Sequence, residues 1–160
     1  MIEIKKNFLD KEYLQELKKP IYDSTMGFFF NDTVAGVGDK KISDCYFTHV
    51  VYSANKPNSS FFELYTPLLK KLNVKALIRI KVNVYPRTEK LYHHNPHFDY
   101  SYKHKGCVFS LNSCDGGTQI GDEFVPSIEN QALIFDASIP HNSTTCTNEK
   151  ARFNVNINYF

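Results

Sequence analysis

The stretch Ile78-Arg79-Ile80-Lys81-Val82-Asn83-Val84-Tyr85 alternates between branched aliphatic side chains and side chains that carry a polar group. Because successive side chains of a β-strand point to opposite faces, the pattern predicts a strand with two unlike faces. The aliphatic face belongs to a hydrophobic core. The other face, which lines either solvent or the inside of a polar barrel, carries Arg79, Lys81, Asn83 and Tyr85.

Similar short segments recur along the chain and are separated by turns rich in Gly, Pro and Asn. The predicted strands are Phe28–Phe30 (buried), Tyr46–Tyr52, Gly106–Leu111, Thr118–Ile120, Phe124–Ile128, Ala132–Phe135 and Arg152–Phe160. The triplet Asp115-Gly116-Gly117 predicts a tight turn. Many short strands with such turns are typical of a β-sandwich or jelly roll, so the predicted fold class is mainly β.

Two helices are predicted before the alternating strand. The first covers Asn7–Lys19, with Asp10 as its N-cap and Pro20 closing it. The second begins at a capping box, Ser60 to Glu63, and runs to about Leu72. Pro67 predicts a kink or a later start of this helix. The intervening Asn31–Lys41 is predicted to be a polar loop.

The composition narrows the class of protein. A length of 160 residues indicates one domain over 1–160, and the formal net charge of +2 gives no signal for nucleic-acid binding. No apolar run reaches membrane-spanning length and no signal-peptide core is present, so we expect a soluble, cytoplasmic protein. Four cysteines without a C-x-x-C pair indicate reduced thiols rather than a zinc knuckle. The oligomeric state is not constrained.

The tripeptide His97-Phe98-Asp99 is the centre of the chemical hypothesis. On an extended segment its His and Asp point to the same side, roughly 6–7 Å apart. A second imidazole, from His141, would give two histidines and one carboxylate on one side of a metal, a set that suits non-haem Fe(II) with open positions. A lone H-x-D occurs often by chance, so the prediction depends on the rest of the chain. The adjacent His93 and His94 point opposite ways on an extended segment, which argues against a shared metal.

The end of the chain supplies a candidate partner for that site. If the segment containing His141 forms an antiparallel hairpin with the last strand, an even-length turn puts His141 and Arg152 on the same face. The last strand itself alternates between two rows. The polar row is Arg152, Asn154, Asn156 and Asn158, and the apolar row is Phe153, Val155, Ile157 and Tyr159.

Taken in order, these motifs resemble the Fe(II)- and 2-oxoglutarate-dependent oxygenases, particularly the prolyl-hydroxylase-like branch and its short bacterial or phage-type members. The matching segments are Asn83-Val84-Tyr85-Pro86, His97-Phe98-Asp99, Asp115-Gly116-Gly117-Thr118, Leu133-Ile134-Phe135-Asp136, Ile139-Pro140-His141 and Arg152 to Ile157. They lie between Ile78 and the C-terminal end, about half of the chain. The resemblance implies a double-stranded β-helix, or jelly roll, braced by the two N-terminal helices.

The resemblance also implies roles for single residues. The implied Fe(II) ligands are His97, Asp99 and His141, and the implied 2-oxoglutarate contacts are Arg152, Tyr85, Asn83 and Asn154. With O2 as the other co-substrate, such an enzyme hydroxylates a small-molecule or peptide substrate, for example peptidyl proline, and releases succinate and CO2. Phe109 departs from the pattern, because it is expected where prolyl-hydroxylase-type members often have a tyrosine that reaches the co-substrate.

Two alternatives remain open from the sequence. One is a cupin-like metalloenzyme that uses no 2-oxoglutarate, and the other is a jelly-roll binding module without turnover. Arg152 discriminates between the first alternative and the oxygenase, because a site without a distal carboxylate has no need of a guanidinium.

Overall fold

The computed structural model describes residues 2–34 and 43–160, which form a mainly β protein with two short helices. The strands are β1 (Glu3–Lys5), β2 (Phe29–Asn31), β3 (Tyr46–Ser53), β4 (Lys56–Pro57), β5 (Leu77–Pro86), β6 (Lys105–Ser110), β7 (Gly117–Ile120), β8 (Glu123–Pro126), β9 (Gln131–Asp136), β10 (His141–Ser143) and β11 (Ala151–Tyr159). The helices are α1 (Lys11–Tyr22) and α2 (Thr66–Lys71). Most of the predicted Asn31–Lys41 loop lies outside the described residues.

The strands form two antiparallel sheets. The larger sheet has the order β1-β9-β6-β11-β5-β3-β2, with β4 paired to β3, and the smaller sheet has the order β10-β7-β8. At the centre of the larger sheet, β5 pairs with β11 so that Arg152 lies opposite Tyr85 and Asn154 lies opposite Asn83. The two alternating segments of the sequence are therefore adjacent strands. The polar side chains of one lie beside the polar side chains of the other, and the apolar side chains are matched in the same way.

The apolar face of this strand pair packs against the helices. Ile80 and Val82 of β5, Ile157 of β11, Leu17 of α1 and Leu68 of α2 are all fully buried in one core cluster. The expectation that β5 has one core face and one polar face is confirmed, and so is the expectation that helices support a sheet. The polar face points the other way, into a cavity between the two sheets.

A second, smaller apolar cluster holds the smaller sheet against the larger one. It contains Ile120 and Val125 from β7 and β8, and Val108, Leu133 and Phe135 from β6 and β9. The polar cavity lies beside this cluster, because Thr118 of β7 and His141 of β10 line it together with residues of β5 and β11.

The first helix begins at its predicted cap but does not end at the predicted proline. Asp10 caps α1 as expected, accepting a hydrogen bond of 2.9 Å from the Tyr13 backbone N–H. Pro20 lies inside α1, which continues to Tyr22, so the prediction that it closes the helix is wrong. Pro20 has no N–H to donate to the Glu16 carbonyl group, and the helix continues for only two residues beyond it.

The second helix starts late. A 3-10 turn over Phe62–Tyr65 precedes α2, whose first turn contains Pro67, and the expected later start is confirmed. The predicted capping box is wrong, because neither the 3-10 turn nor α2 has a side-chain cap at its start. Instead the Ser59 hydroxyl accepts a hydrogen bond of 3.1 Å from the Phe61 N–H.

Two further predictions about strands are wrong. Phe29 and Phe30 were expected in a buried strand, but they lie on the edge strand β2 and are 71% and 61% exposed. The expected hairpin between the His141 segment and the last strand does not form. His141 begins β10, which pairs with β7 in the smaller sheet, whereas β11 pairs with β5 and β6 in the larger one.

Two further findings concern the cysteines and the helices. All four cysteines are free thiols, as predicted. Among the described residues, no helix has the length and apolar character needed to cross a membrane.

The Gly116-Gly117 pair is required by close packing rather than by a turn. Neither residue has a positive φ, and Gly117 begins β7. A Cβ atom on Gly116 would lie 2.1 Å from the Thr145 carbonyl oxygen and 3.2 Å from Cδ of Arg152. A Cβ atom on Gly117 would lie 2.4 Å from the Val125 carbonyl oxygen.

We therefore expect Gly116→Ala to lower the free energy of unfolding by about 1–3 kcal/mol, the usual cost of overpacking a filled interior. Urea unfolding followed by circular dichroism measures this difference. Gly27→Ala is the matched control, since nothing lies within 4 Å of a Cβ atom at Gly27. Equal losses of stability in the two variants would contradict the packing argument.

Candidate metal centre

Two histidines from distant parts of the chain are brought together by reciprocal backbone hydrogen bonds. The His97 N–H donates to the His141 carbonyl oxygen at 2.9 Å, and the His141 N–H donates to the His97 carbonyl oxygen at 2.8 Å. Their ring centroids are 4.7 Å apart. The connector that follows β5 is thereby joined to β10 of the smaller sheet.

Each imidazole is oriented by a backbone carbonyl group two residues earlier. Nδ1 of His141 lies 2.9 Å from the Ile139 carbonyl oxygen, and Nδ1 of His97 lies 3.4 Å from the Asn95 carbonyl oxygen. Because a carbonyl oxygen only accepts hydrogen bonds, this arrangement favours a proton on Nδ1 and a free lone pair on Nε2. Metal-binding histidines are commonly oriented in this way.

The Asp99 carboxylate is held from both of its oxygens. Arg79 Nη2 donates to Oδ1 at 2.6 Å, and Asn158 Nδ2 donates to Oδ2 at 2.8 Å. Asn158 Nδ2 also lies 3.3 Å from Nε2 of His104, which extends the network away from the cavity. Oδ2 of Asp99 is 3.8 Å from Nε2 of His141, so it faces the histidine pair.

These contacts keep Asp99 ionised. Burial raises the pKa of its carboxyl group, but the Arg79 charge, the Asn158 hydrogen bond and His141 outweigh burial and lower the pKa to about 2. Burial lowers the pKa of His97, and the nearby His141 lowers it further. A deprotonated carboxylate and neutral imidazoles are the protonation states that bind a metal.

The three side chains could together hold one metal ion. One ligand atom from each of His97, Asp99 and His141 lies within 4.8 Å of the other two. Two imidazole nitrogens and one carboxylate oxygen match the facial donor set of non-haem Fe(II) centres, which leaves positions open for other ligands. The donor chemistry of this cluster therefore fits the ion that the sequence predicts.

A cavity of about 370 Å³ opens beside the cluster. The cavity is lined by all seven residues that the sequence predicts as metal ligands or co-substrate contacts: His97, Asp99, His141, Arg152, Tyr85, Asn83 and Asn154. The cavity wall runs along the polar faces of β5 and β11, from the Arg79–Asn158 pair near Asp99 to the Tyr85–Arg152 pair at the other end. His141 and Arg152 thus face one cavity although they belong to different sheets.

Arg152 is buried without an acidic partner. Its side chain is only 1% exposed, its Nη2 donates to the Thr118 hydroxyl at 2.9 Å, and its Nη1 donates to the Thr144 carbonyl oxygen at 3.3 Å. Nε has no hydrogen-bond partner, and no carboxylate within residues 2–34 and 43–160 pairs with the guanidinium. Burial lowers the Arg152 pKa, yet a guanidinium keeps its charge in proteins. A buried, unpaired charge of this kind calls for an anionic ligand.

The other predicted co-substrate contacts surround this guanidinium. The Tyr85 ring centroid lies 5.4 Å from Cζ of Arg152. Asn83 Nδ2 donates to Oδ1 of Asn154 at 3.2 Å, and the Thr48 hydroxyl donates to Oδ1 of Asn83 at 3.1 Å. The two asparagines are therefore joined by one hydrogen bond and form the middle of the cavity wall.

Phe109 does not occupy a co-substrate position. Its side chain is fully buried in the apolar core on the helix side and lies 6.4 Å, centroid to centroid, from Phe8. The neighbouring Val108 lines the cavity instead. The expectation that Phe109 replaces a cavity tyrosine is therefore wrong, because the register of β6 turns this side chain away.

Sequence reasoning missed the residues that hold Asp99. The sequence predicts that Arg79 and Asn158 lie on the polar rows of their strands, but it predicts no role for either residue or for His104. Their position is decided by the pairing of Asn158 with Arg79 across β5 and β11. The sequence does contain one signal for the role of Arg79. This cation lies at one end of a predicted polar row, on the strand that precedes the H-x-D motif.

Comparison with solved structures finds similar folds, and the three described below are 11–16% identical to this chain. A prolyl hydroxylase from Trichoplax adhaerens, solved with a hypoxia inducible factor oxygen degradation domain peptide fragment, matches with a TM-score of 0.72 and 16% identity, over 99% of this chain and 83% of that one. A Pseudomonas putida prolyl-4-hydroxylase matches with a TM-score of 0.65 and 11% identity, over 99% of this chain and 91% of that one.

A third similar structure is SnoN, a non-haem α-ketoglutarate-dependent epimerase from nogalamycin biosynthesis. It matches with a TM-score of 0.67 and 11% identity, over 99% of this chain and 77% of that one. No protein-family model matches the chain, and comparison with curated proteins finds no relative. The chain therefore has the fold of the 2-oxoglutarate oxygenases, in its prolyl-hydroxylase-like form.

Proposed function

We propose that this protein is an Fe(II)- and 2-oxoglutarate-dependent oxygenase that hydroxylates a small-molecule or peptide substrate. We further propose that residues 1–160 form a single jelly-roll domain of the double-stranded β-helix type. The two sheets that enclose a polar cavity support this architecture.

One observation carries the proposal. The buried Arg152 guanidinium, which pairs with no carboxylate in the described part of the chain, shares a cavity with the His97–Asp99–His141 cluster. 2-Oxoglutarate is a dicarboxylate whose keto acid end chelates a metal and whose far end needs a cation. The cavity offers these two sites, one at each of its ends.

Each residue then has a defined task. His97 and His141, through Nε2, and Asp99, through a carboxylate oxygen, would hold the Fe(II) ion. Arg79 and Asn158 orient the Asp99 carboxylate before any metal binds. Arg152 and the Thr118 hydroxyl would receive the far carboxylate of 2-oxoglutarate, and Tyr85 would hydrogen-bond the same molecule. Asn83 and Asn154 would line its middle.

The iron, when bound, would supply the activation of O2 that couples oxidative decarboxylation of 2-oxoglutarate, to succinate and CO2, with oxidation of a substrate C–H bond. The residues of the chain position the reactants and exclude water. One similar structure holds a peptide fragment and another belongs to an epimerase, so the fold alone leaves the class of primary substrate open.

The two alternatives make different demands on the cavity. A cupin-like enzyme without 2-oxoglutarate would need no buried cation opposite the metal. A binding module without turnover would not need three side chains oriented to bind a metal ion. The unpaired Arg152 argues against the first alternative, and the oriented His97–Asp99–His141 cluster argues against the second.

We expect Asp99→Ala to abolish 2-oxoglutarate turnover and to weaken Fe(II) binding by more than about 100-fold, since loss of even an outer partner costs about 10- to 100-fold. Succinate release measures turnover, and calorimetric titration measures metal binding. Asp122→Ala removes an exposed carboxylate and should leave both unchanged. Turnover in Asp99→Ala at the rate of the unaltered protein would refute the metal-ligand assignment.

We expect Arg152→Lys to weaken 2-oxoglutarate binding by about 10- to 100-fold, because an ammonium cannot replace a planar, charge-assisted pair of hydrogen bonds. The metal-to-ligand charge-transfer band of the anaerobic Fe(II) complex reports the dissociation constant. The control is Arg87→Lys at an exposed arginine. If the unaltered protein gives no such band, the cupin-like alternative is favoured.

A further inference from the structure

Lys81 is a second cation in the cavity with no acidic partner. It lies on the polar face of β5 and lines the cavity. Its only hydrogen bond within residues 2–34 and 43–160 is a long one, 3.4 Å, from Nζ to the Tyr46 hydroxyl, and no carboxylate there forms an ion pair with it. Nζ also lies 5.6 Å from the centroid of the Tyr46 ring.

The charges around the cavity do not balance. Among the described residues that line it, the cations are Arg79, Lys81 and Arg152, whereas the acid is Asp99. Asp99 is already paired with Arg79. If Arg152 receives the far carboxylate of 2-oxoglutarate, Lys81 is the cation that still has no anion.

The register of β5 and β11 places Lys81 near the metal end of the cavity. Lys81 lies opposite Asn156, one pair along from Arg79–Asn158, which holds Asp99, and two pairs from Tyr85–Arg152. Burial is the main cause of the lowered pKa of both Lys81 and His97, and the charges of Asp99 and Lys81 make smaller contributions to them.

Two stacked tyrosines lie between Lys81 and Arg152. Tyr46 stacks on Tyr85 with a centroid distance of 5.5 Å and an interplanar angle of 15°. The Lys81 ammonium group lies at the hydroxyl edge of Tyr46, and the Arg152 guanidinium lies near the Tyr85 ring. The phenol oxygen and the Tyr85 ring are therefore neutral neighbours of the two cations, and neither supplies a negative charge.

We propose that Lys81 binds the metal-proximal C1 carboxylate of 2-oxoglutarate, so that the co-substrate is held by one cation at each end. This inference rests on the proposed function. A molecule that joins the metal cluster to Arg152 must lie along the β5–β11 wall, and Lys81 belongs to that wall between the two ends. A primary substrate has to approach from the side that the co-substrate leaves free.

Without a ligand, the ammonium group of Lys81 is poorly stabilised in its charged form. Burial lowers its pKa to about 8, and the neighbouring Arg79 charge contributes in the same direction. A carboxylate in contact with the ammonium group would offset both effects, since charge-assisted hydrogen bonds are the stronger class.

The test is a titration of 2-oxoglutarate into the anaerobic Fe(II) protein, followed by the charge-transfer band. We expect Lys81→Met, a neutral side chain of similar length, to raise the dissociation constant by about tenfold. The control Lys75→Met removes an exposed lysine and should change nothing. Fe(II) affinity without co-substrate should not fall in Lys81→Met, which separates loss of the anchor from damage to the metal site.

A second ligand makes the assignment specific to one carboxylate. 2-Oxopentanoate keeps the C1 carboxylate and the keto group but lacks the far carboxylate. Lys81→Met should weaken its binding by the same factor as for 2-oxoglutarate, whereas Arg152→Lys should leave it unchanged. A general distortion of the cavity would not separate the two variants in this way. If Lys81→Met does not fold, Lys81→Gln serves in the same two titrations.

The outcomes are distinct. An unchanged dissociation constant for 2-oxoglutarate in Lys81→Met, with a normal band in the unaltered protein, overturns the inference and leaves the oxygenase proposal standing. A loss for 2-oxoglutarate without a loss for 2-oxopentanoate also overturns it. Absence of the band in the unaltered protein overturns the proposed function, and the inference with it.

Discussion

The antiparallel pairing of β5 with β11 is the constraint on which the site depends. It sets four side-chain pairs in one row, with Arg79–Asn158 at the end near Asp99 and Tyr85–Arg152 at the other end. Side chains alternate between faces, so a slip of one residue would turn Arg152 into the apolar core and Phe153 into the cavity. Such a slip would remove Ile80 and Ile157 from the core, where they pack against the helices. Packing on the apolar face therefore fixes which side chains line the cavity on the polar face.

The candidate metal centre lies where the two sheets meet. His141 comes from the smaller sheet, and His97 is tied to it by two backbone hydrogen bonds. Asp99 is held instead by Arg79 and Asn158 of the larger sheet. Arg79 and Asn158 are strand residues, whereas the two imidazoles are oriented by the backbone carbonyl groups of Asn95 and Ile139 in the connectors. Because every donor already has an orienting partner, little rearrangement is needed for binding, which is the arrangement that precise sites require.

Burying positive charge in the cavity has a cost that the described part of the chain does not offset. Arg152 has a hydroxyl and a carbonyl oxygen as its acceptors, and Lys81 has a single phenol. Neutral acceptors compensate only part of the desolvation of a cation. Such a site is less stable than an apolar core of the same size, and this cost is understandable if an anionic ligand completes it.

Local patterns predicted much of this protein. The alternation in β5, the Asp10 cap, the late start of α2 and the clustering of His97, Asp99 and His141 could be inferred, because each depends on spacing along one strand or helix or on an ordered set of motifs. The predicted hairpin between the His141 segment and the last strand is nevertheless wrong. His141 and Arg152 share a cavity by facing each other across two sheets, and no hairpin joins them.

By itself, the sequence determined which strand faces are polar, and it predicted which residues could ligate a metal and which arginine could anchor a dicarboxylate. Only the tertiary structure decided that Phe29 and Phe30 lie on an exposed edge, that Phe109 faces the core and that Arg79 and Asn158 hold Asp99. The physical reason is that side-chain periodicity is a local property. Strand order and register are set by contacts between residues far apart in the chain, and these contacts leave no periodic signal.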